Sequence, residues 1–191
     1  MKEIIRLITV LTSVCAIAGL SLSFVNSATH DARVYQDRLE LLSALNMVLP
    51  DHTNEPDQDV IEVDSTTYYL SKSSESINGV AFITSTDKGY SGLIRIIVGV
   101  RPDGEIISIG ILQHSETPGL GSKIQEEWFK EQYEGRTLEG AKWAVKKDGG
   151  DFDQISGATI SPRAVTSAVK EGLVAYAENR ESILGGSNVV Q

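Results

Sequence analysis

The stretch Asp153-Gln154-Ile155-Ser156-Gly157-Ala158-Thr159-Ile160-Ser161 separates a glycine-rich acidic loop from a strongly periodic segment. Ser161 is a good N-cap residue, and Pro162 suits the first helical position, where its missing N–H is not needed. The helix that should follow is predicted by apolar residues spaced three or four apart, namely Val165, Val169, Leu173 and Tyr176. The small residues therefore form a turn that delivers the Thr159 hydroxyl to a helix N-terminus, where free N–H groups and the helix dipole favour phosphate.

The pattern Asp-x-x-Ser-Gly-Ala-Thr in this stretch resembles the flavin-attachment sequence of a family of FMN-binding subunits. Members occur in the Rnf-type ferredoxin:NAD+ oxidoreductase, as its G subunit, and in the sodium-pumping NADH:quinone reductase, as its C subunit. The resemblance implies that a flavin transferase moves FMN from FAD onto Thr159 as a phosphoester. It places Ser156, Gly157 and Ala158 around the attachment point and gives Asp153 a role in recognition by the transferase. Read alone, Ser-Gly-Ala-Thr before a helix also fits an ordinary turn.

A second motif, His114-Ser-Glu-Thr-Pro-Gly-Leu-Gly121, interrupts the pattern between a predicted strand and a predicted helix. Pro118 fixes one dihedral angle, and Gly119 and Gly121 let the backbone approach a flat ligand closely. A tight connection between two elements is the plain interpretation. The segment from Glu116 to Gly121 also resembles the second hallmark of the same family, in which this loop lies along the flavin ring.

The resemblance implies ring contacts for several side chains. Glu116 and Thr117 are expected to form hydrogen bonds with the ring, and Leu120 is expected to pack on its face. Tyr90, in the turn Lys88-Gly89-Tyr90, is expected to cover the other face, although it also fits a half-buried tyrosine at a strand end. Lys147, or its neighbour Lys146, is expected to favour a reduced, anionic flavin, and the alternative is a solvated strand end.

Charge and cysteine content exclude several classes of function. The 191 residues include 26 acidic and 17 basic side chains, giving a net charge of −9, which argues against nucleic acid as a partner. Cys15 is the only cysteine, so an internal disulfide, a cysteine-ligated iron–sulfur cluster and a zinc-thiolate site are excluded. The three histidines show no metal-ligand spacing, so we expect no metal site.

The N-terminal segment has the composition of a membrane span. Residues 7–25 are an uncharged run of 19 residues, which as a helix is about 28 Å long and close to the hydrocarbon thickness of a bilayer. Lys2 and Arg6 precede the run, which predicts a cytoplasmic N-terminus and an extracytoplasmic remainder. The alternative is a cleaved signal peptide, whose apolar region is normally shorter.

The remaining pattern predicts an α+β fold, in which a twisted antiparallel sheet packs with flanking helices behind the single transmembrane helix. We predict strands at 60–63, 67–71, 80–84, 93–100, 105–112 and 142–145 and a short helix at 123–132. The turn signal Arg101-Pro102-Asp103-Gly104 predicts a hairpin. The expected organisation is a cytoplasmic N-terminus (1–6), a transmembrane helix (7–25), a stalk helix with an acidic loop (26–59) and an extracytoplasmic FMN-binding domain (60–191).

We therefore expect a single-pass protein of the inner membrane that carries one covalent FMN and relays electrons within an Rnf-type complex. The implied partners are the other membrane and redox subunits, membrane lipid, and the flavin transferase with FAD as donor during maturation. Four alternatives stay open: a sensor or FMN-binding ectodomain outside such a complex, a soluble carrier if the segment is cleaved, the redox domain of a separate extracytoplasmic reductase, and the C-type subunit of the sodium-pumping enzyme.

Overall fold

The computed structural model describes residues 2–74 and 76–185. Glu75 and residues 186–191, which the predicted FMN-binding domain includes, lie outside the described residues, as does Met1. Within the described residues there are three α-helices and five strands, together with two short 3-10 helices. Their bounds are α1 Lys2–Val48, β1 Val60–Val63, β2 Thr66–Ser73, β3 Ser76–Gly89, β4 Gly92–Val100, β5 Ile106–Gln113, α2 Glu127–Glu131 and α3 Ile160–Gly185.

The structure divides into two units between Leu41 and Leu42. The first unit is helical, and its segment Lys2–His30 is long and apolar enough to cross a membrane. No residue in the most apolar part of this segment is buried within the protein. The second unit contains the sheet, α2 and α3.

The five strands form one antiparallel sheet in the order β1-β2-β3-β4-β5, so each strand pairs with its neighbours in sequence. The predicted turn between β4 and β5 is confirmed, because the Gly104 N–H donates to the Arg101 carbonyl at 2.9 Å. Gly104 has a φ of +95°, which glycine adopts without strain. Together with the apolar N-terminal helix, this sheet and its helices confirm the predicted α+β class.

Helix α3 covers one face of the sheet. Alternate residues of β4 point to this face and are buried in the main core, namely Ile94, Ile96, Val98 and Val100. Gly172 of α3 allows a close approach, since a Cβ atom there would lie 2.5 Å from Cε2 of Phe82. The long packed helix gives the residues just before its N-terminus a fixed position on the sheet.

The opposite face of the sheet packs against the end of α1. Leu45 and Val48 are fully buried. A Cβ atom at Gly99 would lie 2.0 Å from the Val48 carbonyl oxygen, so only glycine permits this contact. The sheet is therefore covered on both faces within the second unit.

Three local predictions were wrong. The helix predicted at 123–132 is split into a 3-10 turn, Gly121–Gln125, and α2, because Glu126 has extended backbone angles. The strand predicted at 142–145 is reduced to a single bridge between Val145 and Phe152. Ser161 does not cap α3: the helix begins at Ile160, and the Arg163 N–H donates to the Thr159 carbonyl.

Candidate functional site

A tight turn presents Thr159 at the N-terminus of α3. The Ala158 N–H donates to the Ile155 carbonyl at 3.0 Å, which closes a four-residue turn. Gly157 occupies its third position with a φ of +79°, where a side chain would be strained. Thr159 follows, half-buried, as the last residue before the helix. Thr159 thus lies directly before the first residue of α3.

The loop after β5 folds into a compact turn. The Glu116 N–H donates to Nδ1 of His114 at 3.0 Å, so that nitrogen is the acceptor of the ring. The Leu120 N–H donates to the Thr117 carbonyl at 3.2 Å. Gly119 has a φ of +73°, and its N–H donates to Oγ of Ser122 at 2.9 Å. The loop is thus held by its own hydrogen bonds on the way to the 3-10 turn.

The Glu116 carboxylate joins three segments of the chain. Oε1 accepts a hydrogen bond from the Ser91 N–H at 3.0 Å, and Oε2 accepts one from the Ser161 hydroxyl at 2.5 Å. Glu116 is only 4% exposed. Since Ser91 lies in the turn between β3 and β4 and Ser161 lies in α3, the carboxylate ties that turn, the loop after β5 and the helix together.

Glycines make room for this carboxylate. A Cβ atom at Gly121 would lie 2.5 Å from Oε2 of Glu116 and 2.7 Å from Oγ of Ser161. A Cβ atom at Gly89 would lie 2.7 Å from Oε1 of Glu116. Each of the two glycines therefore leaves space for one oxygen of the Glu116 carboxylate, Gly121 for Oε2 and Gly89 for Oε1.

These segments enclose a pocket with a volume of about 290 Å³. Large apolar side chains on its rim face solvent: Tyr90 is 68% exposed, and Leu120 and Ile160 are each 45% exposed. The full lining brings the two sequence motifs together and consists of Tyr90, Glu116, Thr117, Leu120, Gly121, Gly157, Ala158, Thr159, Ile160 and Ser161.

Four residues predicted for the site do not belong to this lining, as far as the described residues show: Gly119, Lys147, Ser156 and Asp153. Gly119 and Ser156 lie in the two turns beside it. The Lys147 N–H donates to Oε1 of Gln154, and the Lys147 side chain is exposed. The structure thus gives the predicted flavin contact of Lys147 no geometric support.

Exposed ion pairs link the glycine-rich loop to its surroundings. Lys146 pairs with Asp153, and the Asp153 N–H donates to Oε1 of Gln132 at 2.6 Å. Arg163, in the first turns of α3, donates two hydrogen bonds of 2.6 Å to the Asp148 carboxylate. These bonds from the Arg163 guanidinium lower the pKa of Asp148 and raise the pKa of Arg163.

Two pocket residues escaped prediction from the sequence. Ile160 belongs to the stretch 153–161, and an apolar residue directly after Thr159 is the signal that the sequence offers. The sequence predicts Ser161 as a helix cap, since its partner Glu116 is distant along the chain and no local pattern reveals the bond.

Known proteins resemble this chain in sequence. Residues 89–174 match the model of the FMN-binding domain family. The G subunit of an ion-translocating oxidoreductase complex from Aliivibrio fischeri strain MJ11 is 40% identical over 187 residues, covering 88% of this chain and 89% of the relative. The protein of the same name from Shewanella loihica is 36% identical over 180 residues, covering 85% and 84%.

Solved structures share the fold. Shewanella oneidensis NqrC has a TM-score of 0.53 and 22% identity, covering 62% of this chain and 60% of that one. The C subunit of the Na(+)-translocating NADH-quinone reductase from Parabacteroides distasonis has a TM-score of 0.55 and 15% identity, covering 76% and 91%. By its sequence relatives, the chain belongs to the family of G subunits of ion-translocating oxidoreductase complexes, and it carries that family's FMN-binding domain.

Proposed function

We propose that the chain is the FMN-carrying electron-transfer subunit of a membrane-bound, ion-translocating ferredoxin:NAD+ oxidoreductase. The observation that carries this proposal is the pocket, in which residues from both motifs line one cavity. The matching domain family and the names of the relatives support the same cofactor and the same type of complex.

The residues of the pocket fit an FMN group. Tyr90, Leu120 and Ile160 offer exposed apolar surface that a flat aromatic ring would cover. The start of α3 offers the backbone N–H groups of Ile160 and Ser161, whose partial positive charge suits a phosphate. Bound FMN would supply redox chemistry in one-electron and two-electron steps, while the protein would position it.

We propose that Thr159 holds the cofactor covalently. In this reaction a flavin transferase would use FAD, and the Thr159 hydroxyl oxygen would form a new bond to the FMN phosphorus. The bond to the AMP phosphate would break, with AMP as leaving group, and the proton of the hydroxyl would pass to the transferase or solvent. The turn supports this role because Gly157 and Ala158, with small side chains, leave the threonine sterically accessible.

We propose a single-pass membrane topology for the chain, on the basis of the charged residues that flank the apolar segment. Residues 1–6 are cytoplasmic and 7–25 span the inner membrane, while 26–59 lead to an FMN-binding domain at 60–191 on the periplasmic side. Lys2 and Arg6 on the N-terminal flank support this orientation. The partners would be membrane lipid and the other membrane and redox subunits of the complex.

The alternative as a C-type subunit of the sodium-pumping reductase has weaker support. The solved structures of that protein share the fold at 22% identity or less, whereas the G-type relatives reach 40%. A sensor ectodomain outside any complex is distinguished by its partners, since it would be extracted from membranes without other redox subunits.

The test uses an affinity-tagged chain in a bacterium whose own G-type subunit is deleted. We expect the chain to copurify with the other subunits in mild detergent and to restore ferredoxin-dependent reduction of NAD+ by membranes. Leu120→Asp should abolish the restored activity, because Leu120 lines the pocket. Leu93→Asp is the matched control, since Leu93 is similarly exposed, at 46%, and lies outside the pocket. Purification of the chain alone, with no restored activity, would contradict the proposal.

A further inference from the structure

The Glu116 carboxylate is a buried acidic group in the lining of the pocket. Its two oxygens accept hydrogen bonds from the Ser91 N–H and the Ser161 hydroxyl, so each oxygen already has a protein donor. Both oxygens of this side chain thus act as acceptors, and hydrogen bonds to a carboxylate are stronger than those between neutral groups. From the sequence, Glu116 is expected to form hydrogen bonds with the flavin ring. In the structure its hydrogen bonds are to Ser91 and Ser161, which indicates a different role.

No cation lies beside this carboxylate within the described part of the chain. Ion pairs in the described part of the second unit lie elsewhere, among them Lys72–Asp59, Lys88–Glu171, Arg101–Glu105, Lys130–Glu127, Lys146–Asp153 and Arg163–Asp148. The nearby imidazole of His114 presents Nδ1 as an acceptor to the Glu116 N–H. The donors that hold the carboxylate are therefore neutral groups, and the described residues give it no ion-pair partner.

Burial makes this charge effective at short range. Two unit charges interact several-fold more strongly at a partly buried site than in water, because the effective dielectric constant is lower. Glu116 is 4% exposed and lines the same cavity as Leu120 and Thr159. A group in the pocket that gains an electron thus gains it next to a fixed negative charge.

We propose that Glu116 sets the redox potential of the site: its buried carboxylate, positioned by Ser161 and Ser91, opposes added negative charge in the pocket and keeps the midpoint potential of FMN low. The inference rests on the proposed function for the presence of FMN and adds a role for this chain's own residues. Ser161 is a positioning residue, which acts through Glu116. The role fits the glycines at 89 and 121, which leave room for the carboxylate beneath the pocket.

The test measures the midpoint potential of the FMN-loaded full-length chain in detergent by spectroelectrochemistry, at one pH. We expect Glu116→Gln, which removes the charge and keeps the shape, to favour the reduced flavin at least tenfold. A tenfold change in a two-electron equilibrium raises the midpoint potential by about 30 mV. Ser161→Ala should raise it by a smaller amount, and Ser161→Thr, which keeps the hydroxyl, should restore the wild-type value.

The same helix offers a matched control pair. Ser167 Oγ donates to Glu171 Oε1 at 3.0 Å in the same kind of bond, but on the exposed side of α3. Ser167→Ala and Glu171→Gln should leave the midpoint potential unchanged. Urea unfolding of each variant without flavin separates a loss of fold from a change in potential.

Several outcomes would overturn the proposal. A loaded and folded Glu116→Gln variant with an unchanged or lower potential would refute this inference alone. If Glu116→Gln does not load FMN, the serine variants decide, and equal potentials for wild type, Ser161→Ala and Ser161→Thr refute it. A wild-type chain that takes up no FMN, with an active transferase present, would refute the proposed function together with this inference.

Discussion

Asp153, the first residue of the Asp-x-x-Ser-Gly-Ala-Thr motif, is ion-paired with Lys146, whose Nζ lies 2.8 Å from Oδ1 of the aspartate. Both side chains are more than half exposed, at 53% and 56%. Ion pairs between exposed side chains contribute about 0–1 kcal/mol to stability, so this pair does little to hold the loop in place. The carboxylate of Asp153 is thus accessible to another protein.

We predict that Asp153→Asn lowers flavin loading at least tenfold, whereas Lys146→Gln loads normally. The reason is that the transferase would contact the carboxylate itself, and the exposed ion pair is dispensable. The measurement is the FMN-modified fraction by intact mass after coexpression with the transferase. Equal losses in the two variants would mean that Asp153 acts through its ion pair instead.

A buried hydrogen bond behind the pocket provides a second prediction. Tyr133 Oη and Thr166 Oγ1 lie 2.8 Å apart, and both residues are almost fully buried. Tyr133→Phe removes one partner and should cost about 1–3 kcal/mol in the free energy of unfolding. The double variant Tyr133→Phe/Thr166→Val should cost less than the sum of the single variants, because no hydroxyl is then left without its partner. Additive costs by urea unfolding would contradict the expected coupling.

A third prediction concerns alkaline pH. Burial raises the pKa of Tyr176 from 10.0 to about 12. Between these two values the folded state keeps the phenol proton that the unfolded state loses. The contribution of Tyr176 to the free energy of unfolding is therefore complete below pH 10 and is lost as pH rises from 10 towards 12. Tyr176 contributes a slope of up to about 1.4 kcal/mol per pH unit in this range.

Tyr176→Phe should reduce that slope, measured by urea unfolding at several alkaline pH values. The slope should not vanish, since burial also raises the pKa of Tyr68, Tyr69 and Tyr133. Tyr90→Phe is the matched control, because Tyr90 is 68% exposed. An unchanged slope in Tyr176→Phe would show that its phenol titrates alike in the folded and unfolded states.

The contact between the end of α1 and the sheet gives a fourth prediction. Gly99→Ala would place a Cβ atom 2.0 Å from the Val48 carbonyl oxygen, and backbone atoms must move to relieve the overlap. Overpacking of this kind costs about 1–3 kcal/mol in the free energy of unfolding. Gly110→Ala should cost less, because its new Cβ atom meets the side chain of Ile97 at 2.9 Å. The reverse order of stabilities in urea would contradict the described packing.

The sequence indicates those parts of the fold that depend on local patterns. The β-branched run at Leu93–Val100 and the turn at Arg101–Gly104 define β4 and the hairpin to β5, and the structure agrees. Periodic apolar residues likewise indicate α3. In each case the deciding residues are neighbours in sequence, so spacing alone carries the information.

Contacts between distant segments escape such patterns. Ser161 satisfies every local rule for an N-cap, but its hydroxyl bonds to Glu116, and the helix begins one residue before it. Extended angles at Glu126 divide a segment whose composition fits one helix. The cost of a broken helix or an uncapped end is small compared with the tertiary contacts that replace it.

The pocket itself was only partly predictable. Both motifs point to a common ligand, but their meeting depends on the Glu116 carboxylate, which binds Ser91 and Ser161 at the same time. Lys147 lies close in sequence to the Asp-x-x-Ser-Gly-Ala-Thr motif, but this closeness does not bring it into the pocket lining.

Covalent attachment at Thr159 is tested most directly by the intact mass of the full-length chain, with in-gel flavin fluorescence after denaturation, following coexpression with a flavin transferase. We predict that wild type gains the mass of one FMN less one water and fluoresces, and that Thr159→Ala does neither. Thr117→Ala is the matched control, because Thr117 is the other threonine hydroxyl in the pocket lining, and it should be modified like wild type. Unmodified wild type beside a modified control substrate, or modification that survives in Thr159→Ala, would contradict covalent attachment at Thr159.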